Sequence, residues 1–359
     1  MKHSVILFTR KQHAELRDDE FTPDLSGDGI LLKTSHDLIS TGTELANYNA
    51  LPNTAGASES NFPLVAGYSA SAVVQEVGPE VRSCRPGDRV IMPWQGHKSL
   101  AVVREYDLLS SYEDVHGAHN GNRLPARVPL VHIPDEVSME EASFTHLASF
   151  PMLAVRKLKV EMGESVMIAG LGLLGLLAVQ FARLSGACPV IACDFVEERR
   201  KLALELGADY ALNPGDPDFV KQVLDITGGK GVNCAVEVTG AISALQQALE
   251  YTAWLGRIAL LGCTRISDQT IDYYKYIHCR GISLLGCHTF SRPKLESRAG
   301  EWTEADDYRT FLNFLKSGRI NVKSMISQIR SPKDATEIYE MLNRPDNPLC
   351  GVVLDWNLI

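Results

Sequence analysis

The feature that most constrains the fold is a strand–turn–helix–strand pattern between Glu164 and Asp194. Two apolar runs, at 166–169 and 190–193, are typical of buried parallel strands. Between them, three glycines at GxGxxG spacing precede a helical pattern that we predict to continue through Leu184. The stretch therefore predicts one β–α–β unit of an α/β, doubly wound parallel sheet.

The three glycines and the start of the helix suit a dinucleotide. Gly170 permits a tight turn, Gly172 lets the backbone approach a pyrophosphate, and Gly175 lets the helix pack close to the strand. At the helix start, the backbone N–H groups around Leu173 and Leu174 are free to bind phosphate oxygens. A glycine turn alone is common, but the flanking strands and helix favour a dinucleotide-binding site.

An acid at the end of the second strand bears on the choice of cofactor. Asp194 lies 19 residues after Gly175, where a carboxylate meets the adenosine ribose hydroxyls. Its charge would repel a 2′-phosphate, so we predict NAD(H), while Arg199 and Arg200 leave NADP(H) open. Ligands bind at the carboxyl ends of parallel strands. The fourth and fifth strands of this sheet are predicted at 232–238 and 257–262, and the residues at their ends should face the nicotinamide half of the cofactor: Thr239, Gly240, Leu261, Gly262 and Cys263.

Composition argues against several classes of partner. The 359 residues carry a formal net charge of −9, which disfavours a nucleic-acid-binding face. No apolar run reaches the length of a membrane span, and the N-terminus lacks the pattern of a signal peptide. The eight cysteines form no CxxC pair, which favours free thiols over a disulfide framework. We therefore predict a cytoplasmic protein with no nucleic-acid or membrane partner.

Turn residues and apolar runs divide the chain into regions of different character. Up to about residue 150, short strand-like runs alternate with turn residues. A polar, turn-rich stretch at 110–130 interrupts them, and its role stays open. From 154 to about 290 helical and strand patterns alternate, as a parallel sheet requires. A shorter tail of helices with one closing strand follows.

Two local predictions depend on single residues. Ser138 and Glu141 fit a capping box at the start of a helix, which we expect Pro151 to end or kink. Further on, a helix is predicted over about Ile242–Leu255, followed by a strand at 257–262.

Taken together, seven short motifs resemble in order and spacing the medium-chain dehydrogenase/reductase superfamily of alcohol dehydrogenase-like proteins. They are Gly42-Thr43-Glu44, Gly67-Tyr68-Ser69, Val77-Gly78, Pro86-Gly87-Asp88-Arg89-Val90, the Gly170–Gly175 turn, Glu237-Val238-Thr239-Gly240 and Leu260-Leu261-Gly262. The resemblance covers nearly the whole chain. It implies a GroES-like β-rich catalytic domain at 1–153, a Rossmann NAD-binding domain at 154–292, and a return to the first domain at 293–359. It also implies an active site in the cleft between the domains and a contact of Arg199 with the adenosine ribose.

The chain departs from the family at the positions that bind the catalytic zinc. Zinc-binding members have a cysteine where this chain has Thr41 and a histidine where it has Tyr68, and the third ligand position falls on His146. Zinc needs three ligands with soft or imidazole donors, and hydroxyls stay protonated near neutral pH. The cysteines of the family's structural zinc lobe, expected between Met92 and His97, are missing as well. The resemblance therefore indicates a zinc-free branch, with no metal expected.

Without a metal, the residues at those positions become candidates for catalysis. The resemblance puts Thr43 at the family's proton-relay hydroxyl, and Tyr68 and His146 at former ligand positions that face the pocket. Either Tyr68 or His146 could donate a proton to a forming alkoxide or enolate. Tyr48 and His97 are predicted to line the substrate pocket.

Structural alternatives stay open for these residues. Tyr68 could fill the space left by the metal, and His146 could be a satisfied core histidine. Thr43 could be the N-cap of a helix. Glu44 is predicted to be a structural partner of an arginine in preference to a catalyst.

The sequence thus predicts an NAD(H)-dependent, zinc-independent oxidoreductase that interconverts an alcohol and a carbonyl on a small polar or cyclic substrate. One alternative is a zinc-free quinone or enoyl reductase acting on C=C bonds, a type that commonly prefers NADPH. The other is a non-catalytic NAD-binding regulatory protein. The run at 280–286 matches the edge strand that pairs across the family's dimer, so a homodimer or homotetramer is expected.

Overall fold

The computed structural model describes residues 1–105, 130–267, 269–294, 296–344 and 347–359. The polar stretch predicted at 110–130 lies outside these ranges except for its last residue. Strands β1 to β15 of the described ranges span, in order, Lys2–Arg10, His13–Glu20, Gly29–Leu38, Leu64–Val65, Ser69–Val77, Arg89–Pro93, Leu100–Arg104, Val166–Ala169, Val190–Cys193, Tyr210–Leu212, Val232–Glu237, Thr252–Leu260, Ser283–Gly286, Ile326–Arg330 and Gly351–Asp355. Helices α1 to α9 span Thr41–Tyr48, Met139–Ala142, Thr145–Leu158, Leu173–Leu184, Glu197–Glu205, Phe219–Ile226, Ile242–Tyr251, Glu304–Lys316 and Ala335–Leu342.

The predicted parallel sheet is present in the order β10-β9-β8-β11-β12-β13, and each neighbouring pair in it is parallel. Along the chain, the order runs outward from β8 to β10 on one side and from β11 to β13 on the other. The direction therefore reverses between β8 and β11. In an open α/β sheet, this reversal opens a crevice at the carboxyl ends of the strands, where ligands bind.

Successive residues of the sheet face two separate cores. Val166 and Ile168 pack with α3, α4 and α8, whereas Met167 and Ala169 pack with α6 and α7. The strands read as unbroken apolar runs because both faces of the sheet are covered by helices. This arrangement confirms the α/β, doubly wound class.

Two other sheets are mainly antiparallel. One contains β14-β15-β3-β5-β6 with β7 paired to β3, and the smaller one has the order β2-β1-β4. The last strands of the chain, β14 and β15, thus complete a sheet that β3 begins, with Val353 opposite Leu38 and Asp355 opposite His36.

Helix α7 ends earlier than predicted. It stops at Tyr251, and β12 begins at Thr252 instead of at 257. Thr252 lies opposite Val232 of β11, and its side chain is fully buried. Strand pairing across the sheet therefore overrides a local pattern that reads equally well as helix.

The capping box is confirmed, but the helix that follows it differs from the prediction. Ser138 accepts from the Glu141 backbone N–H, and the Glu141 carboxylate accepts from the Ser138 N–H. This box caps the four-residue α2, and the separate α3 contains Pro151 in its middle. Pro151 is tolerated there because most of α3 is buried, so tertiary packing stabilises the helix despite one missing N–H.

All eight cysteines carry free thiols. None of the helices in the described ranges combines the length and the apolar character needed to cross a bilayer.

Candidate functional site

A cavity of about 2040 Å³ extends from the carboxyl ends of the parallel strands to α1 and the strand ends of the first antiparallel sheet. It brings together most of the residues predicted for the cofactor and for catalysis: Thr43, Tyr68, Gly170, Gly172, Leu173, Leu174, Asp194, Arg199, Thr239, Gly240, Leu261, Gly262 and Cys263. Gly175, Tyr48, His97 and His146 lie behind its wall. We call this cavity the cleft.

The glycine turn is shaped as the sequence predicts. Gly170 has a φ of +98°, which side-chain-bearing residues rarely adopt. At Gly172, the N-cap residue of α4, an added Cβ would meet no protein atom within 4 Å, so the backbone is open towards the cleft. At Gly175, a Cβ would lie 1.8 Å from the Gly170 carbonyl oxygen, so helix and turn could not pack as they do. The turn fits the pyrophosphate of a dinucleotide.

Asp194 is held at the edge of this turn. Its Oδ2 accepts from the Leu171 backbone N–H at 2.8 Å, and its Oδ1 accepts from the Val196 N–H at 2.9 Å. Arg199 lies 4.0 Å from the same carboxylate and donates to the Asn347 carbonyl at 3.0 Å. Both side chains line the cleft, so a fixed negative charge stands beside the glycine turn.

The turn after β11 is fixed by a carboxylate to which the sequence assigned no role, and the N–H groups of Leu261 and Gly262 after β12 donate to the backbone carbonyl of the same residue. Glu237 is buried, and it accepts from the Thr239 N–H at 2.7 Å and from the Gly240 N–H at 3.1 Å. Burial raises the pKa of Glu237. Added Cβ atoms on Gly240 and Gly262 would lie 2.7 Å from the Cys263 backbone and 2.2 Å from the Gly240 nitrogen. Glycines thus let the two strand ends meet at the floor of the cleft.

Three hydroxyl groups gather opposite this floor. The Tyr68 hydroxyl donates to Ser40 Oγ at 2.5 Å. Burial raises the pKa of Tyr68, and hydrogen bonding to Ser40 and Thr43 only partly opposes this effect. Tyr68 therefore stays a neutral donor at ordinary pH. The alternative that Thr43 is a helix N-cap is wrong, because α1 begins at Thr41 and Ser40 is its N-cap residue.

His97 is not a pocket residue, contrary to prediction. Its ring is fully buried behind the cleft wall, with Nδ1 2.9 Å from Asp37 Oδ2 and Nε2 3.1 Å from Glu44 Oε2. Trp356 Nε1 donates to Asp37 at 2.8 Å, and the Tyr339 hydroxyl donates to Glu44. Burial alone would lower the pKa of His97, but the charges of Glu44 and Asp37 raise it to about 10. His97 is thus an imidazolium between two carboxylates.

This histidine corrects two further predictions. Glu44 bonds to His97, Tyr339 and the Ser40 N–H, so its structural partner is a histidine and not an arginine. Gly67 has a φ of +79°, and its absent side chain makes room for the His97 ring, since an added Cβ would lie 2.3 Å from it.

Tyr48 also lies away from the cleft. Its side chain is 2% exposed and packs in a core cluster, with ring centroids 5.5 Å from Phe8 and 5.7 Å from Tyr339. The helix α1 turns Thr43 towards the cleft and Tyr48 towards the core, because positions five residues apart lie on different faces.

His146 lies one layer behind the cleft wall. Its Nδ1 is 2.5 Å from the Tyr308 hydroxyl and 3.5 Å from Glu304 Oε1. Burial, together with the charge of Arg292, lowers the pKa of His146 to about 3, so the ring is neutral. Its Nε2 is buried and has no hydrogen-bond partner in the described part of the chain. Tyr308 and Glu304 come from α8, about 160 residues away, and sequence reasoning missed them.

Aromatic side chains form the wall in front of His146. Trp94 stacks on Tyr68 with centroids 5.4 Å apart and meets His146 edge-on at 4.5 Å. Phe150 and Phe290 also line the cleft. One indirect sign of this wall is present in the sequence, since Trp94 lies in the short segment that replaces the structural zinc lobe.

The donors at the former ligand positions do not fit a catalytic zinc. Tyr68 is a neutral phenol already bonded to Ser40, Thr41 offers only an alcohol, and His146 has one uncommitted nitrogen. Within the described ranges, no group of three or more His, Cys, Asp or Glu side chains could hold a metal ion.

Comparisons with known proteins agree with this geometry. A family profile described as zinc-binding dehydrogenase matches residues 174–306. The L-threonine 3-dehydrogenase of Pyrococcus furiosus is 31% identical over 283 residues, covering 74% of each chain. An Escherichia coli oxidoreductase/dehydrogenase of unknown specificity aligns over 99% of both chains, with 19% identity and a TM-score of 0.80. A Sinorhizobium meliloti protein described as a zinc-binding dehydrogenase, with NADP bound, aligns over 99% of both chains, with 19% identity and a TM-score of 0.78. The solved structures confirm the fold, GroES-like with a Rossmann sheet.

Proposed function

The chain belongs to the zinc-binding dehydrogenase family, the medium-chain, alcohol dehydrogenase-like proteins, and from this premise we propose that it is an NAD(H)-dependent oxidoreductase that works without zinc. It interconverts an alcohol and a carbonyl on a small polar or cyclic substrate. The observation that carries the proposal is the Tyr68–Ser40–Thr43 hydroxyl cluster, which faces the same cleft as the glycine turn.

The cofactor is held by the turn and by the strand ends beyond it. The open backbone at Gly172 and the first N–H groups of α4 bind the pyrophosphate, and Asp194 accepts from the adenosine ribose hydroxyls. Thr239 and Gly262 support the nicotinamide half. When bound, the nicotinamide supplies or accepts a hydride.

Tyr68 takes the part that a metal plays in zinc-binding relatives. The phenol has one proton, which it donates to Ser40 Oγ here, so its O–H would turn to the substrate oxygen and stabilise the negative charge that develops there. Its raised pKa keeps the proton on the phenol until the substrate oxygen becomes more basic. Ser40 and Thr43 orient the hydroxyl, and Thr43 can pass a proton on towards the solvent side of the cleft.

His146 supports this chemistry as a neutral ring. Tyr308 and Glu304 fix its orientation through Nδ1, which leaves Nε2 for one further hydrogen bond. Because its pKa is lowered to about 3, His146 stays neutral at ordinary pH, and from behind the wall it positions Tyr68 and Trp94 through edge-on ring contacts.

A substrate screen tests the reaction class. Purified protein is assayed with alcohols, sugars and enones, each with NAD(H) and with NADP(H). We expect turnover of alcohols or sugars with NAD(H). Reduction of enones with NADPH alone would contradict the proposal, and tight NADH binding without any turnover would favour a non-catalytic regulatory protein.

The variant Tyr68→Phe tests the mechanism. We expect a loss of kcat of about 10²–10⁴-fold, typical for removal of a positioned acid. NADH affinity and the free energy of unfolding should change little, because the ring contacts with Trp94 remain. The matched control is Tyr251→Phe, because Tyr251 is a buried tyrosine whose hydroxyl has no partner in the described ranges. Equal activities of the two variants would refute the role of Tyr68.

The division into domains and the assembly are part of the same proposal. We infer a catalytic domain at 1–153, a cofactor domain at 154–292 and a returning tail at 293–359. Strand β13 lies at the edge of its sheet, with β12 as its neighbour, and this open edge supports a homodimer or homotetramer. Light scattering of the purified protein distinguishes these states from a monomer.

A further inference from the structure

Basic side chains gather at the nicotinamide end of the cleft. Arg265 follows β12 and His288 follows β13, and both line the cavity. Lys294 Nζ lies 5.2 Å from the ring centroid of Phe290, another cleft residue. Burial, and then the charges of Lys294 and Arg265, lower the pKa of His288.

Within the described ranges no ion pair neutralises these groups, since none of the three has a carboxylate oxygen within 4 Å there. One nitrogen of Arg265 donates to the Asn53 carbonyl at 3.0 Å, and His288 Nδ1 accepts from the Phe290 N–H at 3.3 Å. The Arg265 fork and the His288 Nε2 thus keep donors available for a ligand.

Two neighbouring arginines, unlike Arg265 and Lys294, form ion pairs in the described part of the chain. Arg156 and Arg292 both pair with the buried Asp307, at 2.8 Å and 3.0 Å. The acid near Lys294 is Glu304, whose burial raises its pKa. A half-buried lysine is costly without a close counter-charge, so Lys294 and Arg265 together place positive charge at this end of the cleft.

This positive charge is not placed to bind the cofactor's pyrophosphate. The glycine turn follows β8, whereas Arg265 and His288 follow β12 and β13, two and three strands further along the sheet. At about 4.7–4.9 Å per strand, the ends of β12 and β13 are displaced sideways from the end of β8 by about 10 Å and 14 Å. An anion at this end would lie beyond the nicotinamide, where the substrate enters.

The geometry points to a binding site for an anionic group of the substrate, formed by Arg265 and His288 with Lys294 behind them. The substrate is then an alcohol, or the matching carbonyl compound, that bears a carboxylate or a phosphate. Arg265 suits either group, because its planar fork can form two parallel hydrogen bonds. Since the whole chain carries a net charge of −9, such a substrate needs a local cation to enter the cleft. This inference rests on the proposed function and narrows its substrate class.

Matched substrate triplets test the site. Each triplet contains a polyol, the hydroxy acid in which one terminal CH₂OH is a carboxylate, and the corresponding polyol phosphate. All are assayed with the protein and NAD(H). We expect kcat/KM for one anionic class to exceed that of the neutral polyol by about tenfold to a hundredfold. The class with the higher kcat/KM, carboxylates or phosphates, identifies the anion that the site binds. An equal or higher kcat/KM for the neutral polyols overturns the proposal.

The variant Arg265→Gln separates substrate from cofactor. It should remove most of the anion preference by raising KM, while Kd for NADH changes less than about twofold. Arg319→Gln, a substitution of an exposed arginine in the turn after α8, is the control and should change neither value. If Arg265→Gln instead weakens NADH binding and leaves the preference intact, Arg265 binds the cofactor and the proposal is wrong.

A binding experiment keeps the test independent of turnover. Malonate and inorganic phosphate are titrated calorimetrically into the protein–NADH complex. Binding that Arg265→Gln weakens about tenfold or more supports the anion site even if no substrate is turned over, in which case only the proposed reaction fails. No binding to the wild-type complex, or equal binding to both proteins, overturns the site.

Discussion

Replacing Gly172 with alanine should separate cofactor binding from folding. Gly172 has a φ of −69°, which alanine adopts freely, and the added Cβ would meet no protein atom within 4 Å. Stability should therefore stay constant or rise by about 0.4–1 kcal/mol, because the unfolded chain loses freedom. The methyl group would, however, project into the space through which a pyrophosphate approaches the turn.

The expected loss of NADH affinity follows from the hydrogen bonds between backbone N–H groups and the pyrophosphate. A bond to a charged group contributes about 1.5–3 kcal/mol, so losing one such N–H–phosphate contact weakens NADH binding about tenfold to a hundredfold. Kd is measured by NADH fluorescence and stability by urea unfolding. The contrasting variant Gly175→Ala should unfold more readily, by about 1–3 kcal/mol or more, because its Cβ would lie 1.8 Å from the Gly170 oxygen. An unchanged Kd in a folded Gly172→Ala protein would refute the placement of the pyrophosphate.

Three further predictions concern charge and packing. Asp194→Asn should lower the preference for NADH over NADPH about tenfold, measured as a ratio of Kd values, and an unchanged ratio would exclude Asp194 as the discriminator. Gly67→Ala should lower the urea midpoint strongly, because its Cβ would lie 2.3 Å from the His97 ring, whereas Gly42→Ala, with open space at its Cβ, should not. The pKa of His97 is raised to about 10 from 6.5, so its contribution to stability is complete below pH 6.5 and is lost as pH rises through 10. Urea titrations should show that decline, at about 1.4 kcal/mol for each unit of raised pKa, and a midpoint that stays level from neutral pH to pH 10 would contradict the ion pairing.

The parallel sheet was predictable because short stretches of sequence determine its strands and turns. The apolar run at 166–169 and the glycines after it predict a strand and a turn within a dozen residues. The structure has β8 and α4 where they were expected. The boundary at Thr252 was not predictable in this way. Thr252 belongs to a strand because it pairs with Val232 of β11. The sequence pattern within 242–255 contains no information about that partner.

The cleft could be predicted in part for the same reason. The glycine turn and Asp194 occupy fixed positions relative to strand ends, so counting along the chain places them. His97 could not be placed by counting, because its partners Asp37 and Glu44 lie 60 and 53 residues away. The grouping of Arg265 with His288 likewise exists only once β12 and β13 stand side by side.

The pairing of β15 with β3 has a consequence for the order of folding during synthesis. The strands of the parallel sheet lie within 166–286, so that sheet has all its strands before the tail is made. The sheet begun by β3 receives β15 and the bond from Trp356 to Asp37 only after residues 351–356 have left the ribosome. Until β15 has been made, β3 keeps an unpaired strand edge, and a chain cut before residue 351 leaves that edge open for other molecules to pair with.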